Sequence, residues 1–369
     1  MEARDGGVAM IVLFGTDDDP ILAAIAEALE LRSVGHRVLD QRCAPPEFRP
    51  RICTQVSSTS ESTIDGEPVR GVVLRPVAVA DVAAAEGWAP DGPEIAAAAL
   101  FASDFLAHCE FEPWTVINRL STQASNLSKP WQLEHIRRWF DVPRTLVTTD
   151  ASAAAAFHAS CGRIIVKSVS AVRSIVREVQ PDRDLAPVAH CPTLFQERIE
   201  GVDVRVHVVG RSVFATRMTS DADDYRYDTE TRRESMAVPE RIAHRCVQLS
   251  DSLGLLLAGC DFRVTPSGRW VCFEVNPSPA FTYFEPRPET PIAEAVAELL
   301  RDADSGPQGT QPGGWSSAAR NGSTSKESSS RHTTSTVSAD ADRMADTMAS
   351  RWSSSCLTST AGPDEAGSQ

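Results

Sequence analysis

Five consecutive apolar residues, Met10 to Phe14 (MIVLF), open the patterned part of the chain, and the polar turn GTDDDP follows them. A short apolar run bounded by turn residues predicts a buried strand. An amphipathic stretch from Ile21 to Leu31 predicts a helix, and a second short strand is centred on Val38–Leu39. Strand, helix and strand in this order predict a parallel α/β unit. The acidic turn Asp17-Asp18-Asp19-Pro20 fits the start of that helix, where side-chain oxygens cap free N–H groups. GVVLRP (71–76) reads as another strand, an Ala-rich stretch at 93–109 as a helix, and TVIN (115–118) as a closing strand. Residues 43–66 show no period and read as irregular.

A second patterned region runs from about 121 to 190. SKPWQLEHIRRWF starts like a helix, with Leu133, Ile136 and Phe140 spaced to share one face. RTLVTT and RIIVKSV read as strands around an Ala-rich helix. A third region holds two hairpins. VDVRVHVV, Gly210-Arg211 and SVFATRM form the first, and glycine leading a two-residue loop suits a type II′ turn. LLLAGCDFRVT and WVCFEVN form the second, around Pro266-Ser267-Gly268-Arg269. Between them, Ile242, Cys246, Leu249 and Leu253 line one face of a helix at 240–253, and a last helix fits Ile292–Leu300. From 303 to 369 the chain is Ser, Thr, Gly and Ala with almost no aliphatic residues, a composition that predicts disorder.

Composition narrows the function classes. The formal net charge is −14 and no dense Lys/Arg stripe occurs, which argues against nucleic-acid binding as the main role. Nine cysteines are scattered without a C-x-x-C pair, so neither a zinc site nor a disulfide framework is expected. Reduced thiols in a cytoplasm are the simplest expectation. The N-terminus MEARDGG does not read as a signal peptide, and no apolar run reaches the length of a membrane span. Only three lysines occur, Lys129, Lys167 and Lys326, and the last lies in the Ser/Thr-rich tail. In a chain that otherwise uses arginine, two retained ammonium groups point to phosphate contacts.

The second hairpin carries the sharpest chemistry. With its turn centred between Ser267 and Gly268, Asp261 faces Glu274, Arg263 faces Cys272 and Gly259 faces Asn276. Alternation then puts Asp261, Glu274 and Asn276 on one face, with Phe262, Phe273 and Val275 on the other. Two directly opposed carboxylates repel, and a divalent cation between them removes the repulsion. Two carboxylates and an amide oxygen form a ligand set suited to Mg²⁺. In the first hairpin, Asp203, Arg205 and His207 share a face opposite Val202, Val204, Val206 and Val208. Arg205 is placed to bind a phosphate or carboxylate. His207 reads as structural. Arg217 opposes Val204 and points away from Arg205 unless a bulge intervenes.

Together these residues resemble the ATP-grasp superfamily over about 118–285, through Lys129 in NLSKP, Lys167 in IIVKS, the segment QERIEGVDVR, and Asp261, Glu274 and Asn276 in D-x12-E-x-N. The resemblance implies an α/β (α+β) ATP-grasp fold. It has a Rossmann-like leading domain at 1–118, an ATP-grasp domain at 119–302 (subdomains 119–190 and 191–302) and the tail at 303–369. It implies that Lys129 and Lys167 contact the α- and β-phosphates of ATP. Glu197, Arg198 and Ile199 become the hinge strand that pairs the adenine edge, with Gln196 beside them in the nucleotide site, and Asp203 or Glu200 meets the ribose. Arg205 stabilises the transferred phosphoryl group, and Asp261, Glu274 and Asn276 bind Mg²⁺, with Mn²⁺ as an alternative. INRLSTQASNLSKPWQ and SDADDYRY are similar to the RimK-like branch, which includes the microviridin or graspetide peptide ligases. One departure is SVSAVRSIV, where the phosphate-covering loop usually has glycines; Ser170, Arg173 and Ser174 stand there instead.

The activity implied is phosphorylation of a carboxylate and capture of the acyl-phosphate by an amine, hydroxyl or thiol, chiefly through positioning and charge neutralisation. A peptide or protein substrate is the first expectation. A small-molecule carboxylate–amine ligase and a non-catalytic nucleotide sensor are the alternatives. Arg75, Arg119, Arg173, Arg217, Asp223, Asp224 and Tyr225 are the candidate substrate contacts, with Arg226 beside them. Neither nucleic acid nor membrane is expected as a partner, and a homodimer is compatible with the sequence.

Overall fold

The computed structural model describes residues 9–42, 52–55, 61–169, 176–180, 182–219, 231–285 and 291–304. The tail expected to be disordered lies outside them, apart from residues 303 and 304. Strand β1 (Met10–Gly15) leads to helix α1 (Pro20–Glu30) and strand β2 (His36–Asp40). Asp19 caps α1 by accepting the N–H groups of Ile21 and Leu22, as the acidic turn suggested. Inside the stretch read as irregular, β3 (Ile52–Gln55) and β4 (Glu61–Ile64) pair antiparallel. Their alternation is too brief to stand out; pairing against β5 (Glu67–Leu74) supplies what local pattern lacked. After β5 come α2 (Val79–Glu86), α3 (Pro93–Phe111) and β6 (Thr115–Ile117).

β2, β1, β5 and β6 run parallel, and β1 is buried on both faces. Ile11 and Leu13 pack toward α1, while Met10, Val12 and Phe14 pack toward Phe105 of α3. This two-sided burial is why a continuous apolar run rather than an alternating one encodes β1.

After α4 (Leu120–Gln123) and α5 (Lys129–Ile136), a second sheet takes the strand order β7-β10-β8-β9. Its strands are β7 (Thr145–Thr148), β8 (Ile164–Lys167), β9 (Arg177–Glu178) and β10 (Thr193–Glu197), with α6 (Ala151–Cys161) between the first two. Ile164, Val179 and Phe195 bury one face against Ala154 of α6.

The third sheet is antiparallel, in the order β13-β12-β11-β14-β15. It contains β11 (Val202–Val209), β12 (Ser212–Thr219), β13 (Arg232–Met236), β14 (Leu257–Val264) and β15 (Trp270–Asn276). Val209 pairs with Ser212, so the first hairpin has its two-residue turn, and Gly210 takes φ +54°. Val204, Val206 and Val208 bury one face against Ile242, Cys246 and Leu249 of α7 (Glu240–Ser252). Cys109, Cys161, Cys191, Cys246, Cys260 and Cys272 are free thiols. Burial pushes the Cys272 thiol well above its usual range, which keeps it protonated. Finally α8 (Pro291–Arg301) returns to the first sheet, where Ile292, Val296 and Leu300 join the core around Ile11 and Leu13.

Two buried polar residues lock these layers together. Asn118, 2% exposed, donates Nδ2 to the carbonyls of Leu257 and Pro277, both at 2.6 Å. Its Oδ1 accepts from Leu256 N at 2.8 Å and Leu257 N at 3.2 Å. One side chain thus ties the end of β6 to the start of β14 and the end of β15. Across the sheet, His207 is fully buried beside Phe284, and neither ring nitrogen makes a hydrogen bond among the described residues. Burial first, and the nearby Arg205 charge second, hold its pKa well below the ordinary 6.5.

Asn118→Ala is expected to destabilise the fold by about 3 kcal/mol, because buried backbone groups lose their partners. A denaturant titration showing a change within about 0.5 kcal/mol, the range of surface substitutions, would count against the clip. For His207 the folded state resists protonation, so its share of stability is present above the ordinary value and is lost as pH falls below 6.5. His207→Leu is expected to lose less thermal stability than wild type between neutral pH and pH values below 6.5; parallel melting curves across that range test it.

Candidate active site

The site is built on one face of the third sheet. Register places Glu274 opposite Asp261, Asp261 opposite Arg205, Arg205 opposite Thr216 and Thr216 opposite Ser235. Directly paired residues share a face, so this is a single polar row across five strands. A neighbouring row runs Asn276, Gly259, His207 and Phe214. The opposed carboxylates expected from the second hairpin are therefore present, with Asn276 beside them.

The second hairpin departs from expectation beyond Asp261. Phe262, not Arg263, faces Cys272, and Arg263 faces Val271. Phe273 is left over as a β-bulge. The extra residue shifts the alternation, so Cys272 enters the core and Phe273 joins the polar face, where its ring lies 6.0 Å from Lys167 Nζ and 5.9 Å from the Arg263 guanidinium.

Arg205 is 5% exposed and donates NH1 to Asp261 Oδ1 at 2.6 Å. Its guanidinium also lies 5.4 Å from the Phe284 ring centroid. Gly259 makes this reach possible: a Cβ there would sit 2.4 Å from Arg205 NH2. Asp203 is clasped by Arg263 through two hydrogen bonds of 2.7 and 2.8 Å, and Arg263 also donates to Ile199 O at 3.0 Å. Arg263 was not singled out from sequence. Its partner comes from the β11–β14 pairing, which joins strands far apart in the chain.

Lys167 reaches this face from β8, and Lys129 belongs to α5, which packs on β15. Lys129, 8% exposed, begins α5, and its N–H donates to Val169 O at 3.3 Å, close to the end of β8 that bears Lys167. Gln132, one turn along α5 and 1% exposed, grips β15 with its amide: Nε2 donates to Val275 O at 2.8 Å, and Oε1 accepts Val275 N at 3.0 Å. Val275 lies between Glu274 and Asn276, so this amide fixes the helix of Lys129 against the strand of the acidic set. Gln132 escaped the sequence reading because only the packing of α5 on β15 gives it a role.

The segment expected to form the hinge is held by its flanking strands. Glu197 N donates to Arg144 O at 2.9 Å and Arg198 N to Arg163 O at 3.0 Å. Gln196 is fully buried and donates Nε2 to Thr145 Oγ1 at 3.0 Å. Arg198 and Arg163 share Glu178 and Glu200, and the hydrogen bonds from Arg163 hold the Glu178 carboxyl below its usual range.

The remaining candidates separate. Arg75 is gathered to the site: it donates Nε to Asp19 Oδ2 at 2.7 Å and NH1 to Ser278 Oγ at 3.0 Å, and Ser278 N donates to Asn276 Oδ1 at 2.9 Å. Arg119 is not. Its guanidinium donates to the carbonyls of Cys109, Glu112 and Trp114 and closes the end of α3, a structural use. Arg217 opposes Val204 and lies on the face away from Arg205, since no bulge reverses the first hairpin. Arg173, Asp223, Asp224, Tyr225 and Arg226 lie outside the described residues, as do Ser170 and Ser174. Among the described residues no group of three or more His, Cys, Asp and Glu gathers for a metal. Two carboxylates and an amide oxygen are a harder donor set, and one that fits Mg²⁺. Gly259, opposite Asn276, puts no side chain between these oxygens and Arg205.

No protein-family model matches the chain, and no curated protein matches it. Solved structures do. The ATP-grasp ligase PsnB, complexed with a phosphomimetic variant of its minimal precursor, Mg and ADP, is 27% identical; the match covers 80% of this chain and 98% of PsnB at TM-score 0.65. The RiPP-associated ATP-grasp ligase of Chryseobacterium gregarium, in complex with ADP and a leader and core peptide, is 18% identical over 81% of this chain and 98% of its own, at TM-score 0.67. The macrocyclase MdnC of Microcystis aeruginosa, bound with precursor peptide MdnA, is 21% identical over 79% of this chain and 99% of its own, at TM-score 0.62. The latter two carry the fold alone, and the first extends the likeness to sequence. With the polar row, the two lysines and the hinge arranged as described, this chain is an ATP-grasp ligase, similar to the RiPP-associated ones.

Proposed function

We propose that the chain is an ATP- and Mg²⁺-dependent ligase that activates a carboxylate of a precursor peptide and joins it to a nucleophilic side chain as an amide or ester. The observation that carries this reading is the row Glu274–Asp261–Arg205, approached by Lys167 and by the helix of Lys129. Bound ATP supplies the γ-phosphoryl group that turns the carboxylate into an acyl-phosphate, and Mg²⁺ offsets the charge of the phosphate chain. PsnB, complexed with minimal precursor, Mg and ADP, supports the same co-substrates here.

Each residue then has a defined task. Lys129 and Lys167 neutralise the α- and β-phosphates as point charges. Asp261, Glu274 and Asn276 would hold Mg²⁺, whose charge would offset the repulsion between the two carboxylates. Arg205 bridges the transferred phosphoryl and the substrate carboxylate, both anionic. The hinge backbone from Glu197 to Ile199 meets the adenine edge. Asp203, oriented by Arg263, accepts a ribose hydroxyl. Arg75 stands at the carboxyl ends of β1 and β5, where open parallel sheets commonly place ligands, and it contacts the peptide.

Lys167→Ala and Glu274→Ala are each expected to cut ADP release by about 100-fold or more while keeping the wild-type melting temperature. Near-normal turnover in either folded variant would refute the assignment. With a cognate precursor, wild type is expected to remove one water per bond formed, read by mass spectrometry; turnover only with free amino acids would redirect the assignment to a small-molecule ligase. Gly259→Ala is expected to push the Arg205 guanidinium off Asp261 and lower kcat by about 10- to 100-fold. Its melting temperature should stay near wild type, since the clash is with the end of a flexible side chain. Unchanged kcat would show that Arg205 does not work from this position.

A further inference from the structure

We infer that Thr145 makes the cleft selective for a purine with an amine at its six-position, by fixing which way the Gln196 side-chain amide faces. The inference rests on reading the cleft as a nucleotide site. Thr145 belongs to β7 and Gln196 to β10, directly paired in the second sheet. Thr145 Oγ1 donates its proton to Pro143 O at 3.0 Å. A carbonyl can only accept, so the hydroxyl proton is committed and Oγ1 presents only lone pairs to its other neighbour. Gln196 Nε2 donates to that oxygen at 3.0 Å. Turning the amide by 180° would set Oε1 against Oγ1, two acceptors face to face. The hydrogen-bond chain therefore assigns the amide orientation that side-chain shape alone leaves open.

The consequence lies at the other end of the amide. Gln196 is 0% exposed, and its Oε1 accepts no hydrogen bond among the described residues. The same face carries Lys167, which is paired with Leu194 two residues before Gln196. The opposite face, through Phe195, packs into the core with Ile164 and Val179. Gln196 also directly precedes the Glu197–Ile199 hinge. In this scheme the base edge meets this buried, orientation-locked acceptor. Adenine carries a donor at its six-position and guanine an acceptor. An unanswered buried acceptor is satisfied by the first and opposed by the second, the kind of mismatch that polar sites reject most strongly. Thr145 is a positioning residue in this scheme, acting through Gln196.

Calorimetric titration of Mg-ATP and Mg-GTP into the full chain tests the inference. Wild type is expected to bind ATP at least about 100-fold more tightly than GTP. Thr145→Val keeps the side-chain shape but removes the hydroxyl, so the amide can present either end; the ATP:GTP ratio is expected to fall by about tenfold. Thr145→Ser keeps the hydroxyl and is expected to keep the ratio. A merely structural role for Thr145 would move both affinities together and leave the ratio alone. An unchanged ratio in Thr145→Val, with ATP still bound, overturns the inference, as does an equal loss of ratio in Thr145→Ser. Wild type binding ATP and GTP alike overturns it while the nucleotide site stands. Wild type binding neither overturns this inference and the proposed function together.

Discussion

Two carboxylates held directly opposite each other, Asp261 on β14 and Glu274 on β15, set the constraint around which this molecule is arranged. Like charges paired across strands destabilise a sheet unless something answers them. Here the answer comes from β11, where Arg205 reaches Asp261 across the space that Gly259 leaves. The pair is buried on the arginine side, while the Asp261 side chain stays 31% exposed.

Such a row works only if the strand carrying Glu274 and Asn276 cannot slide. β15 is the edge of its sheet, and an edge strand has one side of unpaired backbone groups. Two substitutes for a neighbouring strand cover it. The Gln132 amide copies a peptide group at Val275, and Asp141 O accepts from Cys272 N at 2.9 Å. Asn118 does the same work at the far end, joining three segments through one buried amide. These amides are neutral, so their burial avoids the desolvation cost of charged anchors, and each of their polar atoms is satisfied. The lysines, the hinge and the acidic set come from separate elements. Their relative positions depend on such side-chain-to-backbone clips as much as on the hydrophobic cores.

The Phe273 bulge illustrates how local irregularity serves the site. Strict alternation would send this ring into the core and leave Arg263 opposite Cys272. The additional residue instead turns the ring outward between Lys167 and Arg263, where an aromatic face favours both cations. It also leaves Arg263 free to orient Asp203 on the next strand.

The sequence by itself determined the elements whose patterning is strong and whose partners are near in the chain. The apolar run at Met10–Phe14, the amphipathic α1 and α7, and the two-residue turn of the first hairpin follow from side-chain period and turn chemistry, which act over a few residues. The two lone lysines were conspicuous for the same reason: composition is local information. Asp261 faces Glu274 as the sequence suggested, but only because the Phe273 bulge offsets a second-hairpin loop one residue longer than expected. Only the tertiary structure decided what joins distant segments. It put β11 beside β14 and so paired Arg205 with Asp261 and Arg263 with Asp203, and it spent Arg119 on the end of α3. It also gave Asn118, Gln132 and Thr145 their roles. A neutral amide or hydroxyl has no periodic signature in a sequence; its meaning is the identity of the atoms it meets, and those are set by packing between elements that the chain's local preferences do not encode.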